Sequence, residues 1–140
     1  MKSKQVLDVQ QMQHLQEMGM KLKETMLYWV VYEAGHENNF VTTKENAMEV
    51  IDESCGMLPA YTLQDVLDIL PTEIKPAERR FWLRIDLSDE CLYYYYDDCN
   101  LVEHRKKVIG YDGIDGLIDA AYSLLCWCIE QGYVEPNKNE

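Results

Sequence analysis

Phe81-Trp82-Leu83-Arg84-Ile85-Asp86-Leu87-Ser88, followed by Leu92-Tyr93-Tyr94-Tyr95-Tyr96 and by Leu101 through Val108, is the stretch whose reading decides the fold. In its first part Phe81, Leu83, Ile85 and Leu87 alternate with Trp82, Arg84, Asp86 and Ser88, the two-residue period of a strand that buries one face. Asp97-Asp98-Cys99-Asn100 supplies turn chemistry between the second part and the third, so the stretch predicts an antiparallel meander of strands on short loops. Toward the N-terminus, Leu27-Tyr28-Trp29-Val30-Val31-Tyr32 is β-branched and aromatic. Gly35, Asn38 and Asn39 then offer a turn before Phe40-Val41-Thr42, which predicts a hairpin.

Helices are expected around these strands. Asp8-Val9-Gln10-Gln11 has the form of a capping box, with Met12, Leu15 and Met18 behind it and Gly19 as terminator, giving a first helix over 8–19. Residues 45–53 put Ala47, Met48 and Ile51 on one helical face, although an extended reading fits as well. Thr62 caps a helix with Leu63, Val66, Leu67 and Leu70 on one side, and Pro71 stops it. The closing helix carries Ile114, Leu117, Ile118, Ala121, Leu125 and Cys128 along one stripe, with Asp112 or Asp115 as its cap and Gly132 as its stop. The expected class is α+β. The expected architecture is a two-layer sandwich, one antiparallel sheet of about four to five strands with about three helices against one face.

The chain is 140 residues long, 47% apolar and 27% charged, which fits one globular domain over 1–140 with frayed ends near 1–6 and 135–140. The N-terminus lacks the apolar stretch of a signal peptide, and no apolar run approaches the ~20 residues of a membrane span, so a cytoplasmic location is expected. Cys55, Cys91, Cys99, Cys126 and Cys128 contain no Cys-x-x-Cys pair, and reduced thiols are expected. A net charge of −12 opposes binding to a phosphate backbone. It is compatible with docking on a basic partner or simply with solubility.

No catalytic, cofactor or metal site is legible. His14, His36 and His104 have no metal-binding spacing, and His14 and His104 read as surface or packing residues. His36 beside Glu37, on a loop, could act as a general base, and with Asp86 these are the only candidates for an enzyme site assembled from distant residues. Cys126 and Cys128 have no electropositive neighbour to stabilise a thiolate, and Cys128 reads as core. Cys99 sits in an acidic turn that would raise its pKa. Asp86, Ser88 and Glu90 have the spacing of a calcium loop, but Cys91 stands where that loop needs glycine. Asp97-Asp98 and Asp112-Gly113-Ile114-Asp115 are explained by turn formation and helix capping.

The four consecutive tyrosines are the most unusual feature, because strand alternation must send rings to both faces. Tyr94 and Tyr96 share the phase of Leu92 and are assigned inward. That leaves Tyr93 and Tyr95 outward beside Trp82, with Trp29, or Tyr28 and Tyr32, extending the patch. Exposed Tyr and Trp suit a binding surface, and cross-strand packing that only stabilises the sheet is the competing explanation. Such platforms also stack single-stranded nucleic acid when flanked by cations, for which only Arg79-Arg80 and Arg105-Lys106-Lys107 are available.

Two segments carry a resemblance: Leu58-Pro59-Ala60-Tyr61-Thr62-Leu63-Gln64-Asp65-Val66-Leu67-Asp68-Ile69-Leu70-Pro71, and Leu117-Ile118-Asp119-Ala120-Ala121-Tyr122 continuing through Trp127-Cys128-Ile129-Glu130-Gln131-Gly132-Tyr133. Over roughly residues 58–134 the chain resembles small uncharacterised proteins of Bacteroides-type prophages and mobile elements, in which such a helix, a tyrosine-rich meander and a closing helix follow in this order. The resemblance implies a bacterial or phage origin and no particular activity. The resulting expectation is a non-enzymatic interaction or accessory protein that binds a protein partner through Trp82, Tyr93 and Tyr95 in acidic surroundings. The alternatives are an acidic nucleic-acid mimic that inhibits a host enzyme, a homodimer that buries the aromatic patch, and a small enzyme.

Overall fold

The computed structural model describes residues 4–75, 80–86, 91–97, 105–112 and 116–135; for residues 36, 91, 93–97 and 105–112 it describes the backbone alone. Their order is α1 (Val9–Glu17), β1 (Leu27–Tyr32), a 3₁₀ turn (His36–Asn38), β2 (Phe40–Thr43), α2 (Lys44–Val50), β3 (Cys55–Pro59), α3 (Leu63–Ile69), β4 (Glu73–Ile74), β5 (Phe81–Asp86), β6 (Cys91–Asp97), β7 (Arg105–Asp112) and α4 (Leu117–Glu130). The class is α+β, as the patterns predict.

The strands form two sheets rather than the single sheet expected, in the orders β2-β1-β3 and β4-β5-β6-β7. The hairpin of β1 and β2 aligns Leu27 with Thr43 and Val30 with Phe40, and β3 pairs along the other side of β1 from Tyr28–Pro59 to Tyr32–Cys55. With β1 flanked on both sides, the hairpin cannot extend the meander. The simple two-layer picture also fails at β1, which is covered on both faces. Tyr28 and Val30 pack with Ala47 of α2, whereas Trp29 and Val31 pack against the main core. Trp29 is fixed further by its indole N–H, which donates to the Leu7 carbonyl at 2.9 Å.

Side-chain chemistry at the helix ends explains where the helices lie. Asp8 accepts from the Gln11 amide while Gln11 returns the bond to the Asp8 amide, the capping box read from sequence. After α1, Gly19 takes φ 93°, its N–H donates to Gln16, and Met20 donates to Leu15, a Schellman closure that turns Met20 into the core. Gly132 repeats the device after α4, with Tyr133 donating to Cys128. The start of α4 departs from expectation. Gly116, not Asp112 or Asp115, is the cap; Asp112 ends β7 and Asp115 lies outside the described residues. The first turn of α4 instead has Asp119, a carboxylate suited to the positive helix end.

Between α2 and β3, Asp52 accepts from the amide and the hydroxyl of Ser54 at 2.7 and 2.6 Å. These hydrogen bonds hold its carboxyl below the ordinary aspartate value. In an NMR pH titration Asp52 is expected to titrate below other exposed aspartates. Ser54→Ala removes the hydroxyl bond and should move it up; an unchanged midpoint would refute this turn.

The main core joins both ends of the chain. Leu7, Met12 and Leu15 meet Tyr61, Val66 and Leu70, and Ile118, Ala121, Leu124, Leu125 and Cys128 of α4 close the cluster with Val134. The fraying expected over residues 1–6 does not extend to residues 4–6. Val6 bridges Thr62, and the Lys4 ammonium lies 2.7 Å from Asp119 and donates to Gln11. Backbone pairing and a partly buried ion pair hold this segment against the entropy of release.

Candidate interaction surface

The surface is built on β5 and β6. Their antiparallel register places Trp82 opposite Tyr95, Leu83 opposite Tyr94, Arg84 opposite Tyr93 and Ile85 opposite Leu92. Opposed residues share a face, so the backbone puts Trp82, Tyr95, Arg84 and Tyr93 in one phase and Leu92 and Tyr94 in the other. Leu92 is fully buried in the main core, and α4 packs against β6 and β7. Trp82 is half-buried and Arg84 exposed. The three residues singled out from sequence therefore stand in neighbouring cross-strand rows on the phase opposite Leu92.

The inward phase of β5 is buried only in part. Phe81 is buried, Leu83 is half-buried and packs against the core, and Ile85 is 43% exposed. Burial declines toward the end of the strand, beyond Phe81 and its partner Ile74.

Charges of both signs adjoin these rows: β4 sets Glu73 opposite Trp82, and Asp86 and Asp97 end β5 and β6. The third strand begins at Arg105 in the described residues, and β7 pairs Asp97 with Arg105, Tyr96 with Lys106 and Tyr95 with Lys107. A register shift follows, since Tyr94 pairs with Ile109, leaving Val108 as the extra residue of a bulge. The basic run Arg105-Lys106-Lys107 is thus drawn alongside the aromatic strand, and one row reads Glu73, Trp82, Tyr95, Lys107. Sequence reasoning missed this because cross-strand register is a long-range property and the bulge displaces it by one residue.

The proposed extensions of the patch are not joined to it. Tyr28, Trp29 and Tyr32 belong to β1 in the other sheet. Tyr28 is buried, Trp29 packs on the main core, and Tyr32 packs with the smaller cluster and with Phe40. The catalytic candidates stand on different elements. His36 and Glu37 lie in the 3₁₀ turn beside the three-stranded sheet, whereas Asp86 ends β5 in the other one. Two depressions have described linings, neither containing any of the three. One of about 450 Å³ is lined by Asp8, Val9, Gln10, Gln13, Trp29 and Asn39, and one of about 280 Å³ by Thr25, Met26, Thr43, Lys44 and Glu45.

Cys128 is buried in the core, as its helical position predicts, and Cys126 is half-buried with its thiol pushed up by burial. The Tyr122 hydroxyl is bonded to that thiol and is itself raised, first by burial. A thiol raised in this way is the opposite of an activated nucleophile at Cys126. His14 packs edge-on against Tyr122 with ring centroids 6.4 Å apart. His104 and Cys99, and Asp98 of the expected turn, lie outside the described residues. Among the described residues no group of three or more His, Cys, Asp or Glu is placed to hold a metal ion, and no helix is long and apolar enough to cross a membrane. In comparisons with protein-family models, curated proteins and solved structures nothing matches this chain, so a functional reading has to rest on its own residues.

Proposed function

We propose that the chain is a non-enzymatic interaction protein, an accessory factor of a bacterial mobile element or phage, which holds a protein partner through Trp82, Tyr93 and Tyr95. The supporting observation is the register that sets Trp82 opposite Tyr95, with Tyr93 in the adjoining row beside Arg84. Aromatic side chains and arginine are enriched at protein interfaces because they give large contact area and directed polar contacts at low entropic cost. The origin rests on the resemblance over residues 58–134. The test is capture of a tagged copy from host lysate, with the Trp82→Ala, Tyr93→Ala, Tyr95→Ala triple variant as control and its melting curve recorded beside the wild type. The expected result is a co-purifying protein at least tenfold depleted with the folded variant, the loss of about 1.4 kcal/mol or more that hot-spot residues give. Undiminished recovery of every co-purifying protein would sink the assignment of this surface.

A further inference from the structure

Of the six large apolar side chains exposed among the described residues, five lie between residues 26 and 51: Met26, Phe40, Met48, Val50 and Ile51. They surround α2. Thr43 both ends β2 and caps α2, so the helix follows the strand without a loop and packs on β1 and β2. Its fully buried Ala47 faces Tyr28 and Val30, which turns the rest of its circumference outward. Met48, next along, is 59% exposed, and Met26, 84% exposed, lines the 280 Å³ depression at the helix start with Lys44 and Glu45. Toward the other end Phe40 stands beside Tyr32, and the carbonyl of Val50 accepts from the Cys55 thiol.

The carboxylates of this part of the chain are all exposed: Glu45 and Glu49 on α2 itself, Asp52 and Glu53 just beyond it, and Glu33 and Glu37 between β1 and β2. Lys44 is the only Lys or Arg between residues 26 and 59, and its ammonium is held by Glu24 at 2.5 Å. Contiguous apolar surface with a polar rim marks an interaction site, and here the rim has one sign.

We propose that the outward side of α2, with Met26 and Phe40 at its ends, docks a basic amphipathic helix of a protein partner. An apolar stripe flanked by Lys and Arg matches an apolar floor flanked by carboxylates, and methionines are adaptable enough to accept its side chains. The same charges act against the other occupants. A second copy would set carboxylates against carboxylates, and nucleic acid or an anionic membrane would be repelled. This face is on the opposite sheet from Trp82 and stands whether or not the aromatic rows bind anything.

The probe is a fluorescein-labelled peptide of two Leu-Lys-Lys-Leu-Leu-Lys-Leu repeats, titrated with the full chain by anisotropy. Its comparators are a peptide of the same composition rearranged to break the apolar stripe, and a second with Glu for Lys. Saturable binding is expected for the first alone. Met48→Ser with Ile51→Ser, and separately Glu45→Gln with Glu49→Gln, are expected to weaken it at least tenfold, while Ile85→Ser leaves it unchanged. With ¹³C-methyl methionine, the Met26 and Met48 signals should move on titration and that of buried Met12 should not. All these substitutions are at exposed positions, and melting curves verify folding. Equal binding of the rearranged peptide, an unmoved Met48 signal, or a Met48 signal that shifts on dilution as a dimer dissociates would each overturn the proposal, the last in favour of a second copy.

Discussion

Leu124→Ala is expected to lower the unfolding free energy by about 3 kcal/mol, within the usual range for a buried leucine truncated to alanine. Leu124 is fully buried in the main core, where α4 meets the residues contributed by α1 and α3. The loss combines apolar transfer with the cavity left between elements too well packed to collapse fully. In urea the midpoint should fall with little change in slope, since the native state stays compact. Met48→Ala, on an exposed helix face of the same chain, should stay within about 0.5 kcal/mol of the parent. A Leu124→Ala variant as stable as Met48→Ala would mean that α4 does not close the core.

Asp65→Ala is expected to cost about 2 kcal/mol, for a different reason. One oxygen, Oδ2, accepts from the Thr62 amide at 2.8 Å, from the Thr62 hydroxyl at 3.1 Å and from the Thr25 hydroxyl at 2.8 Å. The first contact, with the Asp65 amide donating back to the Thr62 hydroxyl at 3.3 Å, closes the capping box of α3, and the third ties its start to the segment leading into β1. Asp65 is only half-buried, so water replaces part of what is lost and the cost stays below that of the core cavity. Asp65→Asn keeps an acceptor and should recover about half. A double-mutant cycle with Thr25→Val should show coupling of about 0.5–1 kcal/mol; additive losses would mean that the Thr25 contact is not made in solution.

What was legible in the sequence was local chemistry. The capping box at Asp8 and the cap at Thr62 were readable because each is complete within four residues, and the β1–β2 hairpin because strand patterns flank an Asn-rich turn. β3 was not readable, since Cys55-Gly56-Met57-Leu58-Pro59 shows no alternation and contains two residues that weaken strands. β4 has only two residues, too few for any period. Without β3 nothing in the pattern shows that the hairpin is closed on both sides, so two sheets read as one. For the candidate surface, the shared phase of Trp82, Tyr93 and Tyr95, opposite to that of Leu92, follows from alternation, but their basic neighbours on β7 depend on long-range pairing and a bulge. The apolar face of α2 was misassigned because Met48 and Ala47 are adjacent in a short helix, and the sheet has room to bury only Ala47.

Because Leu7, Met12 and Leu15 share one core with Tyr61, Val66 and Leu70 and with α4, the core that α1 enters is completed only when α4 has been made. A ribosome adding about 5–20 residues per second needs roughly 6–23 seconds to travel from α1 to Leu125. Throughout that interval the amphipathic face of α1 has no finished core to enter. Slower synthesis of the segment between α3 and α4 would lengthen the interval during which α1 has only part of its core.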